Sequence, residues 1–280
     1  MPPEVIRRRR LASIGNHALA ITFAVIFLIP FVFIVLTALM TPQQALSTNL
    51  VPHPVQFSNF VDVFRFVPLW RYTGNTLTYA VLATIGTVAS SIPVAYALSR
   101  MEWRGRQFVF LVVLSTLILP TQVTIVPLYA VFVRLGWVGS LKPLWVPTFF
   151  GDAFTIFLLR QFFLTIPQEL VDAARVDGGS EFQILRRVVI PLAKPAIAAV
   201  ALFQFLFAWN DFFGPLLYTG SNPRIWTLAV ALGEFTAIHR STLWNLQMAA
   251  SILFTVPVII VFFLAQRVFV EGVTLTGVKG

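Results

Sequence analysis

The sequence contains no cysteine among 280 residues. That excludes disulfides, thiolate metal sites, cysteine nucleophiles and dithiol redox chemistry. The three histidines, His17, His53 and His239, lie far apart, so local spacing builds neither an HExxH helix nor a paired-imidazole metal cluster. Lysine is nearly as scarce: Lys142, Lys194 and Lys279 follow Leu, Ala and Val, and none makes the Gly-Lys-Ser/Thr of a phosphate loop. No Ser-His-Asp set and no carboxylate pair stands at catalytic spacing. Charged residues reach only 11%, against roughly a quarter in an average soluble domain. What is plentiful is apolar surface, 58% of residues, with a mean hydropathy of +0.83. A water-facing globule of this size would lack polar covering. The chain reads as a bilayer protein, with room for about six helical spans of about 20 residues each and no large extramembrane domain.

Apolar runs occur at 18–40, 75–98, 108–133, 144–164, 196–218 and 246–266. Each is long enough to cross a hydrocarbon core of about 30 Å. The first run follows Arg7 to Arg10 as a signal sequence does, but it is too long and lacks a small-residue cleavage site, so an uncleaved helix is expected. The expected fold is an all-α membrane protein with six transmembrane helices and both termini on one side. Lys and Arg on alternate sides divide fourteen against six, with Arg160 counted on the side of the termini. By the positive-inside rule the N and C termini are cytoplasmic. The net charge of +9 is then a record of membrane orientation, and no nucleic-acid partner is expected. The reading divides the chain into a basic tail (1–17), a transmembrane domain (18–266) and a C-terminal tail (267–280). Two outer segments, about 41–74 and 219–245, are long enough to meet an external partner.

Four of the eleven acidic residues, Glu169, Asp172, Asp177 and Glu181, fall in one cytoplasmic loop, 165–191. Thr165-Ile-Pro-Gln168 has the spacing of a capping box and predicts a helix to about Asp177. Gly178-Gly179 ends it. Ser180-Glu-Phe-Gln183 is a second such box, opening a helix that should stop before Pro191. Ile166, Leu170, Ala173 and Ala174 form one apolar face on the first helix, and Phe182, Leu185 and Val189 a stripe on the second. Either face could pack on the chain's own spans or dock into a separate protein.

This loop resembles the signature of the membrane-spanning permeases of bacterial ATP-binding-cassette importers. That signature, EAA, three residues, G, nine residues, I-x-L-P, is matched by Asp172-Ala173-Ala174, Gly178 and Val188-Val189-Ile190-Pro191, with conservative departures at Asp172, Val188 and Ile190. The chain is similar to the carbohydrate-uptake branch, the second permease of maltodextrin and glycerol-phosphate type systems. Segments at Asn75-Thr76-Leu77, Ala95 to Arg100, Pro120 to Tyr129, Phe157 to Phe163, Asp172 to Gly178, Trp209 to Phe212 and the ending from Gln266 match in order.

The resemblance implies a type I importer permease fold in the bacterial inner (plasma) membrane. It implies a second homologous permease, two cytoplasmic ATPase subunits that bind ATP and magnesium, and an extracytoplasmic solute-binding protein. This chain would then be no enzyme and hold no cofactor. The loop would couple to the ATPase through Glu169, Asp172, Ala173, Ala174, Asp177, Gly178, Gly179 and Pro191, and the tail Gly277, Val278, Lys279 and Gly280 would also reach it.

Ionisable groups within spans are costly and are functional candidates by default. Asp211 beside Asn210, and Gln122 between Pro120 and Pro127, are candidates for the translocation path, with a junction between helices the alternative for Asp211. Asp152, after Gly151, suits a structural role. The expected function is inward movement of a sugar or sugar-like solute by ATP-driven alternating access. The alternatives are an importer permease for a non-sugar solute, an ion-coupled secondary transporter or an intramembrane enzyme.

Overall fold

A computed structural model describes the backbone of residues 3–220, 222–235 and 243–277, and side chains over 13–264 apart from 121, 221 and 236–242. Among the described residues all regular structure is helical. The chain forms two compact units, 1–67 with 235–255, and 68–234 with 256–280.

In the first unit helix α1 (Pro3–Ala38) passes into an irregular stretch and then α2 (Ser58–Phe66). The knot of this unit is polar. Buried Asn59 donates to the carbonyls of Ala38 and Met40, both at 2.8 Å, and accepts from the Asn245 amide at 3.1 Å. The amide of Asn59 thus satisfies carbonyls that the end of α1 leaves without intrahelical donors.

The second unit is organised around α3 (Leu69–Ser99). Ala83, Thr87, Ser91 and Ala95 are all fully buried and repeat every four residues, the small-residue seam that lets helices approach closely within a membrane. Helices α4 (Arg106–Thr116) and α5 (Thr121–Arg134) replace the single run expected at 108–133. The break falls before Pro120, whose ring excludes an amide donor and biases Leu119 away from helix. Next come α6 (Lys142–Trp145) with a 3₁₀ turn Val146–Phe150, then α7 (Ala153–Thr165), whose N-cap Asp152 accepts from Thr155 N at 2.7 Å. An added Cβ at Gly86 of α3 would lie 2.5 Å from the Phe149 ring, so this glycine admits the 3₁₀ turn.

Helices α8 (Gln168–Val176), α9 (Glu181–Leu192) and α10 (Lys194–Asn210) follow. The remaining described helices are α11 (Phe213–Thr219), α12 (Leu228–Gly233) and α13 (Trp244–Gly277). The stretch 222–228 is clipped to α3: Asn75 donates to the carbonyls of Arg224 (3.1 Å) and Trp226 (2.9 Å), and Thr76 accepts from Leu228 N.

Among the described residues, Ser13–Ala38, Leu69–Ser99 and Trp244–Leu264 are long and apolar enough to cross a membrane. Two bent pairs, α6–α7 with α8 and α9 with α10, each turned by 80°, raise the count to five.

Gly86→Leu should cost about 1–3 kcal/mol by overpacking against Thr148 and Phe149. Gly74→Ala, whose Cβ would meet nothing within 4 Å, should leave thermal stability level or higher, as read by melting of the detergent-solubilised protein.

Candidate functional site

The stretch 165–192 forms the elbow expected from the sequence, with its start displaced. Thr165 is no N-cap: α7 runs through it, and its hydroxyl bonds back to Phe162 O at 2.7 Å. Pro167 holds Ile166 extended (φ −67°, ψ 132°), and α8 begins only at Gln168, bent away from α7. The second capping box is present: Ser180 Oγ accepts from Gln183 N, and Gln183 Oε1 accepts from Ser180 N at 2.9 Å. Between the helices Gly178 takes φ +81°, a left-handed conformation that glycine adopts without cost, while Gly179 N donates to Ala174 O.

Helix α9 does not stop before Pro191. It widens into a π turn at Leu185–Val189 and continues to Leu192. The proline's missing amide is absorbed where the i to i−4 ladder is already interrupted.

The buried face matches the expected one at Ile166, Ala174, Leu185 and Val189 and departs from it elsewhere. Ile166, Val171, Ile184, Leu185 and Val189 join Leu98, Leu159 and Phe163 in one core, with Ala174 packed against it. Leu170 (45% exposed), Ala173 and Phe182 (70%) do not turn inward, and neither does Val176 (88%). One turn at each end fixes this choice. The extended Ile166 rephases α8 so that Val171 faces the core, and the π turn rephases α9 so that Ile184 does.

The elbow is rooted by charge. Arg100, buried at the end of α3, donates Nε to Phe163 O at 2.9 Å, Nη2 to the carbonyls of Phe163 and Ile166, and Nη1 to Gln168 Oε1 at 2.6 Å. Ile166 O has no helical donor at the end of α7, and Phe163 O accepts from Arg100 in addition to the Ile166 amide. Burial lowers the Arg100 pKa, opposed by Tyr96 and Asp172, and a guanidinium remains charged regardless.

Arg175 of α8 donates to the Arg100 carbonyl (3.1 Å), to Asp172 (3.2 Å) and to Glu181 of α9 (2.9 Å), whose other oxygen accepts from the Tyr96 hydroxyl of α3 at 2.5 Å. The Arg175 hydrogen bond holds the Glu181 carboxyl below its usual range, with Tyr96 adding to it and burial opposing. Each elbow helix is thereby tied to the other and to one end of α3.

Of the residues expected to couple, Asp172 joins this network, while Glu169, Ala173, Asp177, Gly178 and Pro191 are exposed and Ala174 and Gly179 partly covered. Arg100, Tyr96, Gln168, Arg175 and Glu181 were not singled out as site residues. The available signal was the i, i+4 pair Tyr96 and Arg100 at the end of an apolar run facing a loop rich in acids. Gly277 is the last described residue, and Val278, Lys279 and Gly280 lie outside the described residues. Gln122 is exposed on the first turn of α5. Asn210 bonds back to Leu206 O (2.8 Å), and Asp211 sits at the break between α10 and α11, accepting from Tyr79 OH (2.9 Å) and Gly214 N (3.1 Å).

Residues 86–275 match the family model of the binding-protein-dependent transport system inner membrane component. The chain belongs to this family. It is 33% identical over 272 residues to the osmoprotective compounds uptake permease protein GgtD of Synechocystis, covering 94% of this chain and 91% of the relative. It is 30% identical to the arabinooligosaccharides transport system permease protein AraQ of Halalkalibacterium halodurans, over 98% of this chain and all of that one. Among solved structures, a bacterial ABC transporter involved in the import of the acidic polysaccharide alginate has a chain matching with a TM-score of 0.80 at 26% identity, covering 93% of this chain and 97% of that one. The chain is therefore a permease subunit of an ATP-binding-cassette importer, an inner membrane component with the type I permease fold.

Glu181→Gln should weaken the brace. Because the Glu181 pKa is lowered on folding, its contribution is present above the ordinary carboxyl value of 4.5 and is lost as pH falls through the lowered one. Melting of the wild type in acid should therefore include a loss that the variant does not share. Arg100→Ala, which takes the guanidinium donor from Ile166 O and Gln168 Oε1 and leaves Phe163 O with the Ile166 amide alone, should cost about 1–3 kcal/mol, read as lost yield of folded protein.

Proposed function

We propose that this permease moves a sugar or sugar-like solute inward by alternating access, driven by ATP hydrolysed on separate subunits that seat against the elbow. The observation that carries the reading is the elbow's division of faces. Its inner side is anchored to α3 and α7, while Leu170, Ala173, Val176 and Phe182 are turned outward around Gly178. Exposed apolar side chains on a braced support suit a protein partner. The chain would lie with six spans and both termini in the cytoplasm, as the division of Lys and Arg favours. The helices α4 and α5 together would make the third span. Its companions would be a second homologous permease, two ATPases carrying ATP and magnesium, and the solute-binding protein that the family's description requires. A sugar substrate is favoured by the arabinooligosaccharide relative. In this reading Gly277 to Gly280 reach the ATPase, and Gln122, Asn210 and Asp211 border the path.

A Cβ at Gly178 would meet no described atom within 4 Å, but the backbone at φ +81° strains any side chain there, so a neighbour is reported by lost co-purification of a variant that still folds and not by lost stability. Asn is the side chain best suited to the left-handed backbone. In the complex purified with its companions, Gly178→Asn should keep transport, whereas Gly178→Trp should lower ATPase co-purification and uptake at least tenfold. Normal assembly and uptake by the Trp variant would overturn the docking role. Uptake should also persist when ion gradients are collapsed while ATP remains; its loss would favour the ion-coupled alternative. Asp211→Ala should reduce uptake while the subunits still co-purify, and unchanged uptake kinetics would remove Asp211 from the path.

A further inference from the structure

Between α7 and α10 lies a cleft of about 390 Å³ lined by Asp152, Phe154, Thr155, Phe203, Gln204 and Phe207. Its chemistry is mixed in a specific way. Three phenyl rings supply apolar faces. Asp152 commits Oδ2 to the N-cap bond with Thr155 N, leaving Oδ1 without a partner among the described residues. The Gln204 carboxamide makes no hydrogen bond within the described residues. Gln204 lies ten residues into α10, about 15 Å from its Lys194 end, and Asp152 stands about 20 Å from the Thr165 end of α7 at 1.5 Å per residue. With the elbow at the cytoplasmic face, both groups fall well inside a core of about 30 Å.

An unpartnered carboxamide and half a carboxylate at that depth are costly against lipid and are placed at paths or ligand sites instead. A sugar ring has the complementary pattern: a C–H face for phenyl rings, and vicinal hydroxyls that bond both to an amide, which donates and accepts, and to a carboxylate oxygen, which accepts. Among the described residues no Lys or Arg lines the cleft, and a carboxylate does, so an anionic solute would be repelled there. Among the described residues no group of three His, Cys, Asp or Glu stands ready for a metal ion, which leaves a neutral polyol as a better fit than a metal ion.

We infer that this subunit itself contacts the solute in this cleft, through Gln204, Asp152 and Phe207, and that the solute is a neutral saccharide rather than an acidic one. The inference rests on the importer reading above. It goes beyond that reading by assigning a site and a charge class.

The test uses the complex purified with its companion subunits and reconstituted in vesicles, with maltose and arabinotriose as neutral probes and mannuronate disaccharide as the acidic one. ATP-dependent uptake is measured for each. Uptake of a neutral probe, with its KM raised at least tenfold by Gln204→Leu and by Phe207→Leu while the subunits still co-purify, is the expected result. Recovery to within a few-fold of wild type by Gln204→Asn would mark a hydrogen-bonding rather than a packing role. If Gln204→Leu fails to assemble, Phe207→Leu, at a 66% exposed position, carries the reading alone. Uptake of mannuronate in preference to both neutral probes, or an unchanged KM in the assembled variants, overturns the inference while the importer reading stands. Uptake of none of the three by the wild-type complex overturns the sugar reading and this inference with it.

Discussion

Everything at the elbow depends on one buried guanidinium. The backbone must turn by 80° between α7 and α8, and such a turn leaves carbonyl oxygens at the end of α7 short of donors. Arg100 enters that corner from α3 and takes the oxygens of Phe163 and Ile166 together with the Gln168 side chain. Because two of the acceptors are main-chain carbonyls, the guanidinium fixes the backbone of the corner directly. A single arginine thus converts a proline-directed bend into a defined joint, and the Arg175–Glu181–Tyr96 bonds extend the same stiffness to α9.

Helix α3 connects this joint to the rest of its unit. Near its start it holds 222–228 through Asn75 and Thr76; one further turn on, Tyr79 reaches Asp211 at the break in the α10–α11 line; at its end it holds both elbow helices. A continuous helix with bonded contacts at both ends ties the groups at one end to those at the other. The small residues along its buried seam permit close packing against α7 and α10.

Much of this was legible in the sequence, and the reasons for the misses are physical. The helix, glycine corner and helix of the elbow followed from Gly178-Gly179 and from the Ser180 capping box, because those signals are local. The Thr165 box failed because a longer-range requirement, continuing α7 onto the Leu159 and Phe163 core, overrode it. The Pro191 stop failed because a π turn admits a proline that regular α-helix would not. The i, i+4 spacing finds Ile166, Ala174, Leu185 and Val189 but misplaces Leu170, Ala173 and Phe182, because spacing cannot register the extended Ile166 or the widened turn ahead of Pro191. Arg100 counts in the sequence as an orienting charge and as the end of the Ala95 to Arg100 segment; its spacing from Tyr96 marks the pair but does not say that the guanidinium points back into its own protein. Asp211 was legible as a costly group, but its partner Tyr79 lies 132 residues away.

The π turn at Leu185–Val189 has a consequence for how this chain can vary. Such a turn is a helix carrying one surplus residue, and each residue of regular helix contributes a rotation of about 100°. Deleting one position there would relax the winding to regular α-helix, yet it would swing Glu181 around the axis, away from the Tyr96 hydroxyl. The surplus residue therefore acts as a phase setting for the elbow, and gains or losses of chain length are better accommodated outside 181–210 than within it.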